Sequence, residues 1–317
     1  MCALRREAYY CASLTPSPPP PQDRVGTPLE RGHVALIDPH ARIALLQFHE
    51  GVVKVIPCEG GWDERAVNAR LDTPGEVLDL AFLTRSSGGA ALPPLLAVLN
   101  KESTGVYMRT YDVVVAGGTA TLVEAALTAD SLPSGSVFLI PVAAPMSGVL
   151  VVGPKGVSYV PPRGGPRETV AFGDGDASFA PVCWAPIDAT RILIGDADGV
   201  LFLLSLTAED GRVQSFEITR LGACSAPSAL AYVDAGFVFV GSGKGDSQLL
   251  RLRPTVDVLD TASPHLESIA RFSNLGPIVD FAAVDLDRAG QCALVTASGI
   301  GRNGSLRYVR IGMGVRQ

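Results

Sequence analysis

The sequence predicts an all-β fold, and its turn residues and apolar periodicity both support this class. Thirty-four glycines and 24 prolines in 317 residues interrupt the chain often, as a protein built from many short strands and turns requires. Apolar residues seldom repeat with the period of an amphipathic helix over about 12 positions. The third and strongest observation is one hairpin pattern that recurs along the chain.

The recurring pattern consists of an apolar run, a short turn with glycine, and a second run in which apolar and polar residues alternate. RILIGDADGVLFLLSL and FVFVGSGKGDSQLLRL are two of its six copies. The turns contain, in order, Gly51, Gly105, Gly156, Gly199, Gly245 and Gly304. A period of about 50 residues predicts a β-propeller of four-stranded antiparallel blades.

The strands of each blade follow from the same pattern. The first run of the hairpin is continuously apolar, as in LLAVL, VLVV and RILI, which is typical of inner strands that are buried on both faces. Looser apolar segments between the hairpins, VLDLAFL, SVFLIPVA and SALAYV, supply the preceding strands. A pair of β-sandwiches is the alternative fold, but nothing in that architecture would produce the period.

The length of the patterned region gives the number of blades. From Val34 to Ile311 there is room for about five to six blades of roughly seven expected. We therefore expect residues 22–317 to form an incomplete propeller, cut short at its amino end, and residues 1–21 to be an unstructured or diverged segment. Missing blades would leave strand edges unpaired, so we expect the chain alone to be poorly stable and prone to aggregation.

The stretch SGIGRNGSLRYVRIG contains a G-x-G-x-x-G, formed by Gly299, Gly301 and Gly304. A dinucleotide-binding loop must open a helix and be followed about 20 residues later by an acidic residue. The residues after Gly304, SLRYVRI, alternate as a strand does, and the sequence ends at Gln317. We therefore interpret the stretch as a glycine-rich turn between two strands.

Composition argues against several classes of partner and site. The net charge is −6, and arginines occur singly, which disfavours a nucleic-acid interface. No apolar run approaches the ~20 residues needed to cross a bilayer, and the amino terminus lacks the compact apolar segment of a secretory signal. The six cysteines are scattered without a C-x-x-C pair, which favours buried thiols in a reducing compartment over a zinc site. We expect a protein of the cytosol or the nucleus.

Other candidate sites give weak signals. Asp196 and Asp198 in GDADG superficially resemble a calcium loop, but Val200 and Thr207 stand where an EF-hand needs oxygen ligands. The stretch reads as an Asp-Gly hairpin turn. The four histidines form no i,i+4 pair, and no histidine is placed persuasively beside a serine or cysteine nucleophile. We expect neither catalysis, nor a metal, nor a cofactor.

Three longer segments carry a family resemblance: QDRVGTPLERGHVALIDPHARIALLQFHEGVVKVIP, VFVGSGKGDSQLLRL, and NLGPIVDFAAVDLDRAGQCALVTASGIGRNGSLRYVRIGMGV. They resemble the first propeller of the large subunit of UV-damaged DNA-binding protein, the three-propeller adaptor family of cullin-4 ubiquitin ligases. The resemblance runs from about Gln22 to Val315 in the same order, and NLGPIVD and GDSQL are its most specific strings. Subunits of the mRNA cleavage-polyadenylation and splicing machinery share the architecture, and their final hairpins look less similar.

The resemblance implies a non-catalytic scaffold for ubiquitination and DNA repair. In the family, the cleft between the first and third propellers holds a helical motif of substrate receptors, and the second propeller docks the cullin. The resemblance places Pro277, Ile278, Val279 and Ile300 on the receptor-facing rim. An apolar, rigid Pro-Ile-Val edge suits contact with a partner helix, although Ile278 and Val279 could instead point inward as strand residues.

One departure from the family pattern falls at the same rim. Gly243 and Lys244 stand where the family usually has Arg-Leu, which removes an apolar contact and a bidentate donor. We therefore expect altered receptor affinity. The resemblance also implies contacts with the other propellers of a longer protein, no direct DNA contact by this part, and no ligase assembly without the cullin-docking propeller.

Two further functions remain open from the sequence. One is an RNA-processing subunit that binds nucleic acid, which the negative charge disfavours. The other is a small-molecule hydrolase that uses the central channel of a propeller, which the lack of a catalytic constellation disfavours.

Overall fold

A computed structural model describes residues 33–58, 66–73, 75–85, 92–164, 168–171, 179–253, 265–285 and 293–309. These residues form 24 strands and one short 3₁₀ turn, which confirms the all-β prediction. Within these ranges no helix is long and apolar enough to cross a membrane. Residues 1–21, for which we expected no regular structure, lie outside the described residues.

The chain divides into two compact units. The first contains Met1–Gly153 and Val157–Thr169, and the second contains Pro154–Gly156 and Val170–Gln317. Every strand pair in both units is antiparallel and most are consecutive in the chain, so each sheet is a meander. This is the topology that a repeated hairpin with one preceding and one following strand produces.

The first unit begins with two sheets. The first sheet contains β1 (Val34–Ile37), β2 (Ile43–His49), β3 (Val52–Pro57) and β4 (Val67–Arg70) in that order. The second contains β5 (Glu76–Leu83), β6 (Leu95–Glu102), β7 (Gly105–Ala116) and β8 (Thr119–Glu124), and β9 (Ala129–Leu132) also pairs with β7.

The third sheet contains β10 (Phe138–Pro141), β11 (Val149–Gly153), β12 (Gly156–Val160) and β13 (Glu168–Val170). Two apolar clusters form the core of the first unit. One joins the first and second sheets around Leu45, Val53 and Leu96, and the other joins the second and third sheets around Leu99 and Val151.

The second unit contains three more sheets. The fourth contains β14 (Pro181–Pro186), β15 (Arg191–Asp196), β16 (Val200–Glu209) and β17 (Arg212–Ala223). The fifth contains β18 (Ala229–Asp234), β19 (Phe237–Gly241), β20 (Ser247–Leu252) and β21 (Leu266–Phe272). The sixth contains β22 (Ile278–Val284), β23 (Ala293–Ser298) and β24 (Ser305–Val309).

A cluster around Leu193, Val238 and Val240 joins the fourth and fifth sheets. All six predicted hairpins are present, as the pairs β2–β3, β6–β7, β11–β12, β15–β16, β19–β20 and β23–β24. The segments predicted to precede three of them are the strands β5, β10 and β18. The core and the hairpins therefore follow the apolar pattern of the sequence closely.

Candidate interaction surface

Three loops of the second unit carry the six residues singled out from the sequence. The loop 242–246 joins β19 to β20 and contains Gly243 and Lys244. The segment 274–279 contains Pro277 and the first two residues of β22, Ile278 and Val279. The turn 299–304 joins β23 to β24 and contains Ile300. We refer to residues 242–246, 274–279 and 299–304 together as the three-loop surface.

Backbone hydrogen bonds join the three loops to one another. The amide of Gly299 donates to the carbonyl oxygen of Pro277 over 2.9 Å, and the amide of Ile300 donates to the carbonyl oxygen of Lys244 over 2.9 Å. The first bond joins residues 22 positions apart in the sequence and the second joins residues 56 positions apart, so the three loops are fixed side by side. The structure brings together all the residues that the sequence singled out.

The loop 242–246 is shaped by one buried hydroxyl. The Ser242 hydroxyl donates to the carbonyl oxygen of Ala226 over 2.7 Å and accepts hydrogen bonds from the amides of Lys244 and Gly245. The amide of Gly243 donates to the Ser228 hydroxyl over 3.0 Å. Hydrogen bonds to the two serine hydroxyls fix the amides of Gly243 and Lys244, and both residues are exposed to solvent.

An acid and an asparagine hold the second loop in place. The backbone amide of Asn274 donates to a carboxylate oxygen of Asp246 over 3.0 Å, and its side-chain amide donates to the carbonyl oxygen of Ser242 over 3.1 Å. The Asn274 side-chain oxygen in turn accepts from the amide of Gly276 over 3.0 Å. This arrangement fixes the chain just ahead of Pro277.

Asp246 also links the loop to the last strand of the sheet. The Arg307 guanidinium donates to the same carboxylate oxygen over 2.7 Å, and both side chains are partly buried. This hydrogen bond from Arg307, helped by the one from the Asn274 amide, lowers the pKa of Asp246 although burial opposes the shift. Asp246 therefore stays ionised at neutral pH and stabilises two of the three loops.

Tight packing fixes the turn 299–304. A side-chain carbon added to Gly299 would lie 2.3 Å from the carbonyl oxygen of Asn303, and one added to Gly245 would lie 2.6 Å from the Asn303 side chain. Gly299 also has a φ of +83°, in the left-handed region that favours glycine. The turn leads into the strand β24, which excludes the dinucleotide-binding loop because that loop must open a helix.

The joined loops present apolar side chains to solvent. Ile278 is 49%, Val279 is 74% and Ile300 is 50% exposed, while Pro277 is half-buried. Leu275, which the sequence reasoning missed, is 43% exposed on the same segment. Exposed aliphatic side chains on a backbone that hydrogen bonds already hold are suited to contact with another protein.

The supporting residues Asn274, Asp246, Asn303 and Arg307 were also missed. Asn274 had a usable signal, since an asparagine two residues ahead of a glycine is typical of a turn that its side chain stabilises. Arg307 had none, because its partner Asp246 is 61 residues away in the sequence.

The other candidate sites have local explanations. The Asp196 carboxylate accepts hydrogen bonds from the amides of Ala180 and Asp198, as in a hairpin turn. Burial raises the pKa values of the Cys183 and Cys224 thiols to about 12, so both stay protonated. Within the described ranges, no group of three or more histidine, cysteine, aspartate or glutamate residues could hold a metal ion.

A comparison with known families agrees with the fold. The sequence model described as the RSE1/DDB1/CPSF1 first β-propeller matches residues 19–273, which is more than three quarters of the chain. The chain belongs to this family. The fold of the chain is therefore an incomplete β-propeller, as the period of the hairpins predicted.

Curated relatives of this first-propeller chain share one name. DNA damage-binding protein 1 of Solanum lycopersicum is 35% identical over 325 residues, and DNA damage-binding protein 1a of Arabidopsis thaliana is equally similar. Both matches cover 100% of this chain and 28% of the relative. DNA damage-binding protein 1 of Drosophila melanogaster is 33% identical over 312 residues, 93% of this chain and 25% of the relative. The chain is thus similar to DNA damage-binding proteins over one part of their length, and it spans about a quarter of the length of these relatives.

Proposed function

We propose that this propeller is a non-catalytic scaffold that binds partner proteins through the three-loop surface. The proposed role is that of the substrate-receptor-binding propeller of a cullin-4 ubiquitin-ligase adaptor, active in DNA repair and protein ubiquitination. Family membership and the name of the relatives support this role. The observation that carries it is the hydrogen-bonded joining of three loops from the fifth and sixth sheets, which aligns exposed Ile278, Val279 and Ile300.

The proposed partner is a helical motif of a substrate receptor. A helix with an apolar face buries its anchors against a groove or edge with matching apolar side chains. The backbone of the three-loop surface is already ordered, so binding loses little conformational entropy on this side. We further propose that the protein acts in the nucleus and also occurs in the cytoplasm, and that other propellers of a longer protein supply the cullin contact.

Binding of a helical receptor-motif peptide to the full chain tests this function. Val279→Asp places a carboxylate in the centre of the apolar contact, and we expect at least a tenfold loss of affinity by fluorescence anisotropy. The matched control is Val233→Asp, since Val233 is a 63% exposed valine on β18, outside the three-loop surface. Equal affinities of the two variants would contradict the proposed surface.

A second candidate function has a narrower basis. The label of the matched family also names RSE1 and CPSF1, so the propeller could serve in mRNA cleavage-polyadenylation or splicing machinery and bind nucleic acid. Salt-dependent binding of single-stranded RNA by the full chain would favour this function. The net charge of −6 and the shared name of the relatives favour the ubiquitin-ligase scaffold.

A further inference from the structure

The three-loop surface has a charge opposite to that of the whole chain. Lys244 in the first loop and Arg302 in the turn 299–304 are both exposed. Within the described residues, neither side chain has an ion-pair partner. The chain as a whole carries a net charge of −6, so two exposed cations on one small surface differ in sign from the protein as a whole.

The geometry keeps these two cations beside the apolar side chains. The hydrogen bond from the Ile300 amide to the Lys244 carbonyl oxygen places the backbone of Lys244 next to that of Ile300. Arg302 lies between Ile300 and Asn303, and Asn303 packs against Gly245 in the Lys244 loop. The backbones of both Lys244 and Arg302 therefore lie close in space to that of the exposed Ile300.

Within the described residues, no neighbouring acid forms an ion pair with Lys244 or Arg302. The Asp246 carboxylate is engaged by Arg307 and by the Asn274 amide. Asp280, an exposed and charged acid on β22, pairs across the sheet with Ala297, two residues before the turn 299–304, and its carboxylate accepts from the Phe281 amide. Apolar contact area bordered by free cations selects for an apolar partner that carries carboxylates.

We infer that the partner of the three-loop surface is an apolar helix flanked by aspartate or glutamate residues, whose carboxylates contact Lys244 and Arg302. This inference rests on the proposed function, because it names the chemistry of the helix that binds there. The inference also gives Gly243 and Lys244 a role. Lys244 favours partners with a carboxylate, and Gly243, which has no side chain, leaves space for the partner beside it. An exposed ion pair gives a modest preference, of about two- to five-fold for each carboxylate.

A displayed peptide library tests the inference on the full chain. The peptides are short helices with a constant apolar face of leucine and isoleucine, and each flanking position is glutamate, glutamine or lysine. We expect selection on the wild-type chain to enrich glutamate over lysine at the flanks by about two- to five-fold per position. The enrichment should shrink when salt is raised from about 0.05 to 0.3 M.

Two double variants show which cations are responsible. Lys244→Gln/Arg302→Gln should lose the glutamate enrichment while still recovering apolar peptides. The matched control Lys155→Gln/Arg212→Gln removes two exposed cations elsewhere and should keep the enrichment. Loss of recovery by Val279→Asp, whatever the flanking charge, shows that the peptides bind at the three-loop surface.

The outcomes separate this inference from the function on which it rests. Recovery that depends on Val279 but shows equal glutamate and lysine, or a lysine excess, would overturn the charge selection and leave the proposed function standing. The absence of any recovery, or recovery unaffected by Val279→Asp, would overturn both. Binding of a labelled single-stranded oligouridine that Lys244→Gln/Arg302→Gln removes would assign the cations to phosphate and also overturn the inference.

Discussion

Asp246 is the residue on which the arrangement of the loops depends most. Its carboxylate accepts from Arg307 and from the Asn274 amide, and the Arg307 hydrogen bond lowers its pKa. Replacing it with asparagine removes the charge from both bonds, so Asp246→Asn should reduce the free energy of unfolding by about 1–3 kcal/mol at pH 7. Chemical denaturation of the two proteins measures this difference.

The sign of the pH dependence follows from the lowered pKa. A carboxyl whose pKa is depressed in the folded state contributes stability above its unfolded pKa of about 3.9 and loses that contribution as the pH falls through the folded value. The difference between wild type and Asp246→Asn should therefore shrink below about pH 4. Asp210→Asn, at an exposed turn, is the control and should change stability little at either pH. A difference that stays constant down to pH 3 would contradict the role of the ionised carboxylate.

Alanine substitutions at two glycines of the last turn distinguish the cost of backbone strain from the cost of a steric clash. Gly299 and Gly301 have φ values of +83° and +59°, but an added side-chain carbon meets the Asn303 carbonyl oxygen only at Gly299, and nothing within 4 Å at Gly301. Gly301→Ala should lose about 1 kcal/mol of stability through strain alone, and Gly299→Ala should lose clearly more. Thermal unfolding of both variants measures the difference, and equal losses would show that the contact relaxes freely.

At the scale of the strands, the sequence predicted most of the fold. The continuous apolar runs became the buried inner strands, and the glycine turns became the six hairpins, because both signals act between neighbouring residues. The joining of the three loops was not visible in the same way. The bond from Ile300 to Lys244 links the fifth and sixth sheets, which are separate blades of the pattern, and no local periodicity encodes it. The bond from Gly299 to Pro277 lies within one blade, at the end of the β22–β23 pairing.

The candidate residues themselves came from the resemblance rather than from the physics of the sequence. Exposure of Ile278 and Val279 could not be decided beforehand, because Ile-Val at the start of a strand is equally compatible with an inward orientation. Leu275 and Arg302 were missed because single apolar or basic residues in loops carry no pattern. Their importance depends on the loops that the folded chain places beside them.

A pair of strand leucines tests the difference between the inner and outer strands. Leu193 in β15 is fully buried in the cluster of the second unit, whereas Leu306 in β24 is 78% exposed. Leu193→Ala should lower the free energy of unfolding by about 2–5 kcal/mol, since it leaves a cavity. Leu306→Ala should stay within about 0.5 kcal/mol of the wild type. Similar effects of the two substitutions, measured by urea denaturation, would contradict the burial pattern.

At the scale of the whole molecule, the sixth sheet is the expected point of self-association. Within the described residues, β24 pairs with β23 alone, and it exposes Leu306 and Tyr308. An unpaired, apolar strand edge is a template for aggregation. Leu306→Lys should therefore reduce the concentration-dependent light scattering of the full chain several-fold, because a charge at the edge opposes pairing.

Val123→Lys is the control for this prediction, since Val123 is a 52% exposed valine on β8, which forms an edge of the second sheet. It should leave the scattering nearly unchanged. A wild-type chain that is monodisperse and unfolds cooperatively at all concentrations would contradict the expectation, drawn from the sequence, that the chain alone is poorly stable.

The central claim is that the three-loop surface is where this propeller scaffold receives a partner helix. Amide hydrogen exchange of the full chain, with and without a saturating helical receptor-motif peptide, tests it most directly. We predict that the peptide slows exchange in residues 242–246, 274–279 and 299–304 and leaves the strands β14–β17 of the fourth sheet unchanged. Slowed exchange that is confined to other segments, with the three loops unaffected, would contradict the account.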